Sequence, residues 1–380
     1  MLAGDLYTFQ GLLTDDESAI VRRVREFLAA EVTPIANDYW ARAEFPTQLI
    51  KRFAGLGLAG AEHSSLLNGW LALEMGHADA SMATFYGVHA GLAMGSIQTC
   101  GSPEQQERWL PAMTAFDQIG AFALTEPGGG SDVAAGLRTT ARRDGDTWIL
   151  NGAKRWIGNA TFADLIVVWA RDEADDQVKG FVVPGDAPGF TATKIENKIA
   201  LRIVQNADIT LEDVRVAEAD RLQNAHSFKD TAKVLRQTRA GVAWQAVGVM
   251  LAAYEIALDY AKEREQFGRP IAKFQLVQDL LVRMVGNVTA SLGMCVRLAQ
   301  LQDEGVYKDE HSALAKAYCT TRMREVVGWA RELLAGNGIV LDYDIGRFVA
   351  DAEALYSYEG TREINSLIVG RAVTGHGAFV

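Results

Sequence analysis

Apolar positions in the first third of the chain recur three and four residues apart. Ile20, Val21, Val24, Phe27 and Leu28 follow Thr14-Asp15-Asp16-Glu17, in which Thr and Glu stand at capping-box spacing, and the helix they predict runs to about Val32, before Pro34. A second helix, from about Thr47 to Ala54, stops in Gly55-Leu56-Gly57. Leu66 to Met75 and Ser81 to Thr99 read as mostly apolar helices carrying Trp70 and Phe85, and Ser102-Pro103-Glu104-Gln105 opens another with Ser as cap and Pro in the first turn. Residues 1–118 are expected to form a helical domain.

From about Ile119 the period becomes that of strands. Leu137 to Arg143, a turn at Asp144-Gly145, Thr147 to Leu150 and a further turn at Asn151-Gly152 predict a hairpin. Leu165 to Ala170, Lys179 to Val183 and Asp208 to Val214 are β-branched runs between breakers, so residues 119–220 should make a small barrel-like or sandwich β-domain. Past Asp220 the helical period returns. Asp230 to Arg264 is long enough for two antiparallel helices or one very long one, and Gln275 to Leu301 and Ser312 to Leu334 follow, so residues 221–380 are expected to be a four-helix bundle domain. The fold class is α+β in three domains, helical, β and helical.

Composition narrows the function. The 380 residues, 49% hydrophobic and 22% charged, suffice for two or three cores. A net charge of −11 argues against a nucleic-acid partner, which needs clustered Lys and Arg. Cys100, Cys295 and Cys319 are far apart and suit free thiols in a reducing compartment. The start lacks a basic leader, and the sequence shows no run of about 18 apolar residues, so no membrane span and a cytoplasmic location are expected. The six histidines form no ligand pattern, and no metal is expected. Gly55-Leu56-Gly57-Leu58-Ala59-Gly60 resembles a dinucleotide loop but ends a helix instead of joining a strand to one. Ser131 lacks the Gly-x-Ser-x-Gly elbow of a hydrolase.

Four strings carry chemistry. Leu124-Thr125-Glu126-Pro127-Gly128-Gly129-Gly130-Ser131-Asp132 lets main chain approach a ligand closely and offers hydroxyls. Lys154-Arg155-Trp156-Ile157-Gly158-Asn159 puts a large aromatic between basic residues at a strand end, where a flat ring could rest. Arg264-Glu265-Gln266-Phe267-Gly268 ends a long helix with a cation and an aromatic. Tyr358-Glu359-Gly360-Thr361-Arg362-Glu363 sets a carboxylate ahead of a Gly turn, with Ile364, Leu367 and Ile368 predicting a helix behind it.

In this order and spacing the strings resemble the acyl-CoA dehydrogenase family over essentially the whole chain, most of all its subgroup of glutaryl-CoA dehydrogenases and plant short-chain acyl-CoA oxidases. The resemblance implies FAD as cofactor, a homotetramer sharing FAD across a dimer interface, an acyl-CoA substrate and an electron-transferring flavoprotein as acceptor, in fatty-acid or amino-acid breakdown. It implies that Phe122, Leu124, Thr125, Gly130, Ser131, Trp156 and Gly158 line the flavin. Arg264, Phe267, Gln275, Glu332 and Gly336 would hold the FAD of a neighbouring subunit, and Thr361 and Glu363 would touch FAD again. Ser131, Arg239, Tyr358 and Gly360 would lie at the substrate, and Glu359 would be the α-proton base. An α-proton of a thioester is too weakly acidic for a free carboxylate in water, so the base must be desolvated and the enolate oxygen stabilised. In the family that oxygen takes hydrogen bonds from the base's own amide and a flavin ribityl hydroxyl. Some members carry the base at the position of Thr238, which cannot serve.

Four departures matter. Gly158 replaces a threonine that would bond flavin N5, which leaves an oxidase using O2 as an alternative. Ala83 stands where glutaryl-CoA enzymes keep an arginine, and no Lys or Arg occurs from Asp79 to Gly101, which disfavours a dicarboxylate substrate. Ala335 replaces a common glycine in Ala335-Gly336-Asn337-Gly338. Gly60 to Ser64 is shorter than the Gly/Pro-rich loop expected there. A decarboxylating glutaryl-CoA dehydrogenase and a non-catalytic helical interaction protein are the other readings.

Overall fold

A computed structural model describes residues 2–378. Helix α1 (Asp15–Phe27) starts at the expected capping box: the Thr14 hydroxyl accepts from the Glu17 amide at 3.2 Å, and the Glu17 carboxylate accepts from the Thr14 amide at 2.9 Å. The predicted stop near Val32 is instead a π-wound turn, Leu28–Val32, leading into α2 (Thr33–Arg42). Pro34 falls in the first turn of α2, where its missing N–H costs little. Helices α3 (Leu49–Ala54), α4 (Ser65–Ala78), α5 (Ala80–Tyr86), α6 (Gly95–Cys100) and α7 (Pro103–Thr114) complete the first helical region. A π-wound stretch, Gly87–Met94, joins α5 to α6, so the expected Ser81–Thr99 helix is one rod with a widened middle.

The β-region is one seven-stranded sheet with a short helix, α8 (Val133–Gly136), in a connection. Its strands are β1 (Gly120–Ala123), β2 (Thr140–Asp144), β3 (Thr147–Ile157), β4 (Leu165–Asp172), β5 (Val178–Pro184), β6 (Phe190–Lys194) and β7 (Ala207–Ala217). The path runs β1-β4-β2-β3-β7-β6, with β5 paired to β4. The turn around Gly145 joins β2 to β3 as expected, but Asn151-Gly152 is not a turn. Strand β3 runs through it, and the register against β7 shifts there. Gly152 holds φ 147°, and a Cβ on it would lie 2.7 Å from Thr139 Cα, so glycine permits a close crossing at a bulge.

The C-terminal region consists of α9 (Phe228–Glu263), a tight ribbon of β8 (Glu265–Gln266) and β9 (Arg269–Pro270), then α10 (Gln275–Asp303), α11 (Asp309–Leu333), α12 (Ile345–Ser357) and α13 (Arg362–Thr374). The segment read as one helix or two is a single helix of 36 residues. Both α9 and α10 contain windows long and apolar enough for a membrane span, although neither holds an unbroken apolar run of that length; 78% of the α9 window is buried within the fold, against 33% for α10. Helix α9 is therefore the core rod of the molecule, while α10 leaves Leu276 and Val282 exposed.

Candidate active site

Glu359 lies in the connection between α12 and α13, half-buried, at φ 54°, followed by Gly360 at φ 81°. Two successive left-handed residues turn the chain sharply, and Thr361 then caps α13 by accepting from the Ile364 amide. The Thr238 hydroxyl of α9 donates to Glu359 Oε2 at 2.7 Å. Burial pushes the Glu359 carboxyl above the usual carboxylate range, against the Thr238 hydroxyl and the charges of Arg239 and Lys316, which pull it down. Arg239 is half-buried, and its Nε has no hydrogen-bond partner. Beside the carboxylate, the Tyr358 hydroxyl donates to Gln245 Oε1 at 3.0 Å, and burial raises the phenol further above its ordinary value.

The β-region reaches this point through the widened stretch before α6. A Cβ on Gly158 would sit 3.2 Å from a Val88 methyl, and one on Gly91 would sit 3.6 Å from the Thr238 methyl. Thr125 and Trp156 lie next to each other because the Thr125 carbonyl accepts from the Arg155 amide at 2.8 Å. Trp156 has φ 65° at the second register shift of β3, is 52% exposed, and carries the Arg155 guanidinium 5.0 Å from its ring centre. Phe122 and Leu124 are buried, Phe122 against Trp169 at 6.1 Å, so what they can offer a ligand is main chain rather than side chain. Gly130 and Ser131 are exposed, and nothing lies within 4 Å of a Cβ built on Gly128. An exposed flat aromatic, open glycine main chain and hydroxyls on one rim form a cradle that fits a large planar cofactor.

The remaining candidates stand elsewhere on the same chain. Arg264 follows Thr238 by 26 positions along α9, and at ~1.5 Å per residue the helix carries it roughly 39 Å away. Phe267 is 93% exposed and packs edge-on against Phe274, and Arg264, Gln275, Glu332 and Gly336 are exposed. Asn337 donates to the Tyr260 hydroxyl at 3.1 Å, which ties the Gly336 loop to the end of α9. Within one chain Arg264 and Phe267 therefore stand at the far end of α9 from Glu359. Thr361 and Glu363 open α13, next to the Glu359 turn.

Three features of the site escaped sequence reasoning. Lys154 is fully buried and donates to the Leu124 carbonyl at 3.1 Å and to Glu126 at 2.9 Å, while Glu126 also accepts from the Arg138 and Thr139 amides. Burial lowers the Lys154 ammonium to about 8, and the pairing lets Glu126 sit below its usual value despite burial. This buried pair pins both ends of the glycine loop. Thr238, set aside as a base, instead donates its hydroxyl to the Glu359 carboxylate. Lys316 on α11 lies under the Glu359 turn, and its signal was a lone Lys at spacing three and four with buried Ser312, Ala313, Cys319 and Thr320.

Residues 14–117, 121–214 and 228–374 match, in that order, the family descriptions "Acyl-CoA dehydrogenase, N-terminal domain", "middle domain" and "C-terminal domain". The short-chain specific acyl-CoA dehydrogenase, mitochondrial, of Mus musculus is 34% identical over 370 residues, covering 94% of this chain and 90% of that protein. A solved glutaryl-CoA dehydrogenase of Mycobacterium smegmatis in complex with FADH2 is similar over 100% of both chains, at TM-score 0.97 and 34% identity. A chain in a structure described as the electron transferring flavoprotein of Acidaminococcus fermentans is similar at TM-score 0.91 and 29% identity, over 96% of this chain and 99% of that one.

Proposed function

The chain belongs to the acyl-CoA dehydrogenase family of FAD-dependent oxidoreductases, and from that premise we propose that it converts a short- or medium-chain acyl-CoA to the trans-2-enoyl-CoA with Glu359 as the α-proton base. The observation that carries this reading is a half-buried carboxylate with a raised pKa, held on a left-handed turn by a hydroxyl from the central helix. A raised pKa brings a carboxylate's basicity toward the working pH, and it remains the proton acceptor while ionised. Thr125, Gly130, Ser131, Trp156 and Gly158 would hold the flavin face, with Phe122 and Leu124 contributing main chain. When bound, FAD supplies the acceptor for the hydride that leaves the β-carbon. Glu359 takes the α-proton, its main-chain amide would donate to the thioester oxygen, and the electron pair of the α-C–H bond forms the new double bond. Arg239 supplies an unspent guanidinium at the same opening.

Ala83 is buried, so no cation at that position meets a distal carboxylate, which speaks against glutaryl-CoA. The exposed group of Arg264, Phe267, Gln275, Glu332 and Gly336, with Leu276 and Val282 on α10, supports a homotetramer in which it holds the FAD of a neighbouring subunit. The likeness to a chain of an electron-transferring-flavoprotein structure supports such a flavoprotein as acceptor; peroxide released during turnover in air would identify an oxidase instead. The decisive experiment is anaerobic titration of wild type and Glu359→Gln with acyl-CoAs of increasing length. Wild type should bleach with short substrates, whereas Glu359→Gln should bind FAD and stay yellow. A Glu359→Gln protein that bleaches at the wild-type rate overturns the assignment.

A further inference from the structure

The ammonium of Lys316 is fully buried, on the face of α11 that packs under the Glu359 turn. Burial of a lysine without a partner is costly, and the usual solution is a carboxylate. Here the hydrogen bonds go elsewhere: Nζ donates to the Tyr356 carbonyl at 2.8 Å and to the Gly360 carbonyl at 2.7 Å. The first of these is one of the terminal carbonyls of α12, left without an intrahelical donor, where a helix end also favours positive charge. The second belongs to the residue that follows the base. Two bonds from one nitrogen thus span residues 356–360 and bracket Glu359. Asn365 Nδ2 adds a third bond to the same turn, on the Gly360 carbonyl at 2.9 Å.

Resting on the reading of Glu359 as the base, we infer that Lys316 is the positioning residue of the catalytic turn: it clamps the carbonyls on either side of Glu359 in the left-handed conformation and places a positive charge beneath the carboxylate. Lys316 itself does not reach the reacting atoms. The clamp and the charge are separable functions. A left-handed non-glycine residue is strained and unwinds unless its neighbours fix it. The charge acts through space, and the charged and titratable groups around it come from every element packed there: Arg239 on α9, Tyr358 and Glu359 on the turn, and Glu363 on α13. Lys316 and Arg239 both favour the ionised Glu359, so loss of Lys316 raises the base's pKa further. Burial brings the Lys316 ammonium down to about 8, so it is charged at neutral pH.

The test is anaerobic flavin bleaching by a short acyl-CoA, followed as a rate across pH, in Lys316→Met and Lys316→Arg. Lys316→Met should take up FAD, bind the unreactive enoyl-CoA product as tightly as wild type, and bleach about ten-fold more slowly near neutral pH, with the acid limb of the rate moved up by about one unit. Lys316→Arg retains the charge but not the clamp geometry, and it should lose rate while keeping the wild-type limb. A purely structural lysine would lower rate without moving the limb. The inference is overturned if Lys316→Met bleaches with wild-type rate and limb, or if the limb moves as far in Lys316→Arg as in Lys316→Met. Should Lys316→Met not hold FAD, Lys316→Gln, polar but uncharged, should show the moved limb, and an unmoved limb there also overturns the inference. Glu359→Gln run alongside separates the two readings. If it bleaches normally the base assignment fails, whereas a dead Glu359→Gln with an unshifted Lys316→Met sinks only the role of Lys316.

Discussion

Trp156, Asn159, Phe267 and Glu359 share left-handed backbone, with φ of 65°, 65°, 53° and 54°. Each such residue costs about 1–2 kcal/mol relative to the right-handed regions, so each persists only where its surroundings over-determine it. For Glu359 the surroundings are Lys316, Asn365 and the Thr238 hydroxyl. Thr238 stabilises the carboxylate by donating to the charged form, so Thr238→Val, nearly isosteric, should raise the Glu359 pKa beyond its already raised value. Less of the carboxylate is then ionised at a given pH, and flavin reduction by acyl-CoA should slow about three- to ten-fold near neutral pH and recover as pH rises. Stopped-flow rates over that range decide it; a profile superimposable on wild type would show that the hydroxyl does not tune the base. Glu359 was legible in sequence because a Glu-Gly pair before an amphipathic helix is a local pattern. Thr238 and Lys316 were not, because they meet the turn from 121 and 43 residues away in sequence. A hydroxyl or amine becomes functional only when helix packing brings it to its partner.

Helices were legible wherever periodicity alone decides them, as at the capping boxes before Asp15 and Pro103. Periodicity fails where an element is defined by its neighbours. The π-wound stretches at Leu28–Val32 and Gly87–Met94 keep a helical pattern and differ only in winding. Strand β6 is short and half-exposed, and Asn151-Gly152 carries a turn signature inside a strand because a bulge also needs glycine. How closely α4 lies on α9 is likewise invisible in either helix alone. A Cβ on Gly248 would fall 2.1 Å from the Leu73 carbonyl oxygen and 2.7 Å from the His77 amide, and one on Gly76 would fall 2.6 Å from the Gln245 carbonyl. These are backbone atoms of packed helices, which cannot step aside as a side chain can. Gly248→Ala should therefore destabilise by about 2–3 kcal/mol, although alanine is the better helix former. Gly241→Ala on the same helix, where nothing lies within 4 Å of the added Cβ, is the control and should be neutral or stabilising. Urea midpoints of the two variants, with unchanged m values, measure the difference; equal midpoints would mean that the helices are free to separate.

At the scale of the whole molecule, the three regions meet at one carboxyl group. Asp351 on α12 accepts from Trp40 Nε1 of α2 at 2.9 Å and from the Leu201 amide, in the connection between β6 and β7, at 2.6 Å. Behind it Arg347 pairs with Asp79, the cap of α5, at 2.5 Å and bonds Asn37 at 3.0 Å. Both Asp351 acceptor bonds are made by Oδ1, and the buried Oδ2 has no partner. Burial, and then the negative charge of Asp79, push the Asp351 carboxyl up from 3.8 to about 7. The sign of the consequence is fixed by linkage. The folded protein holds this proton more tightly than the unfolded chain, so the stability is fully present below the unfolded pKa and is lost as pH rises through the folded one, by a few kcal/mol in total. Asp351→Asn keeps an acceptor for Trp40 and Leu201 and cannot ionise. The difference in unfolding free energy, variant minus wild type, should therefore climb in the variant's favour between about pH 4 and about pH 7, nearly linearly, and level off above. Taking the difference cancels every other carboxylate that titrates in both proteins. If that difference stays flat across the interval, Asp351 carries the same charge folded and unfolded, and the junction between the three regions is held by an ionised carboxylate beside the Arg347 guanidinium.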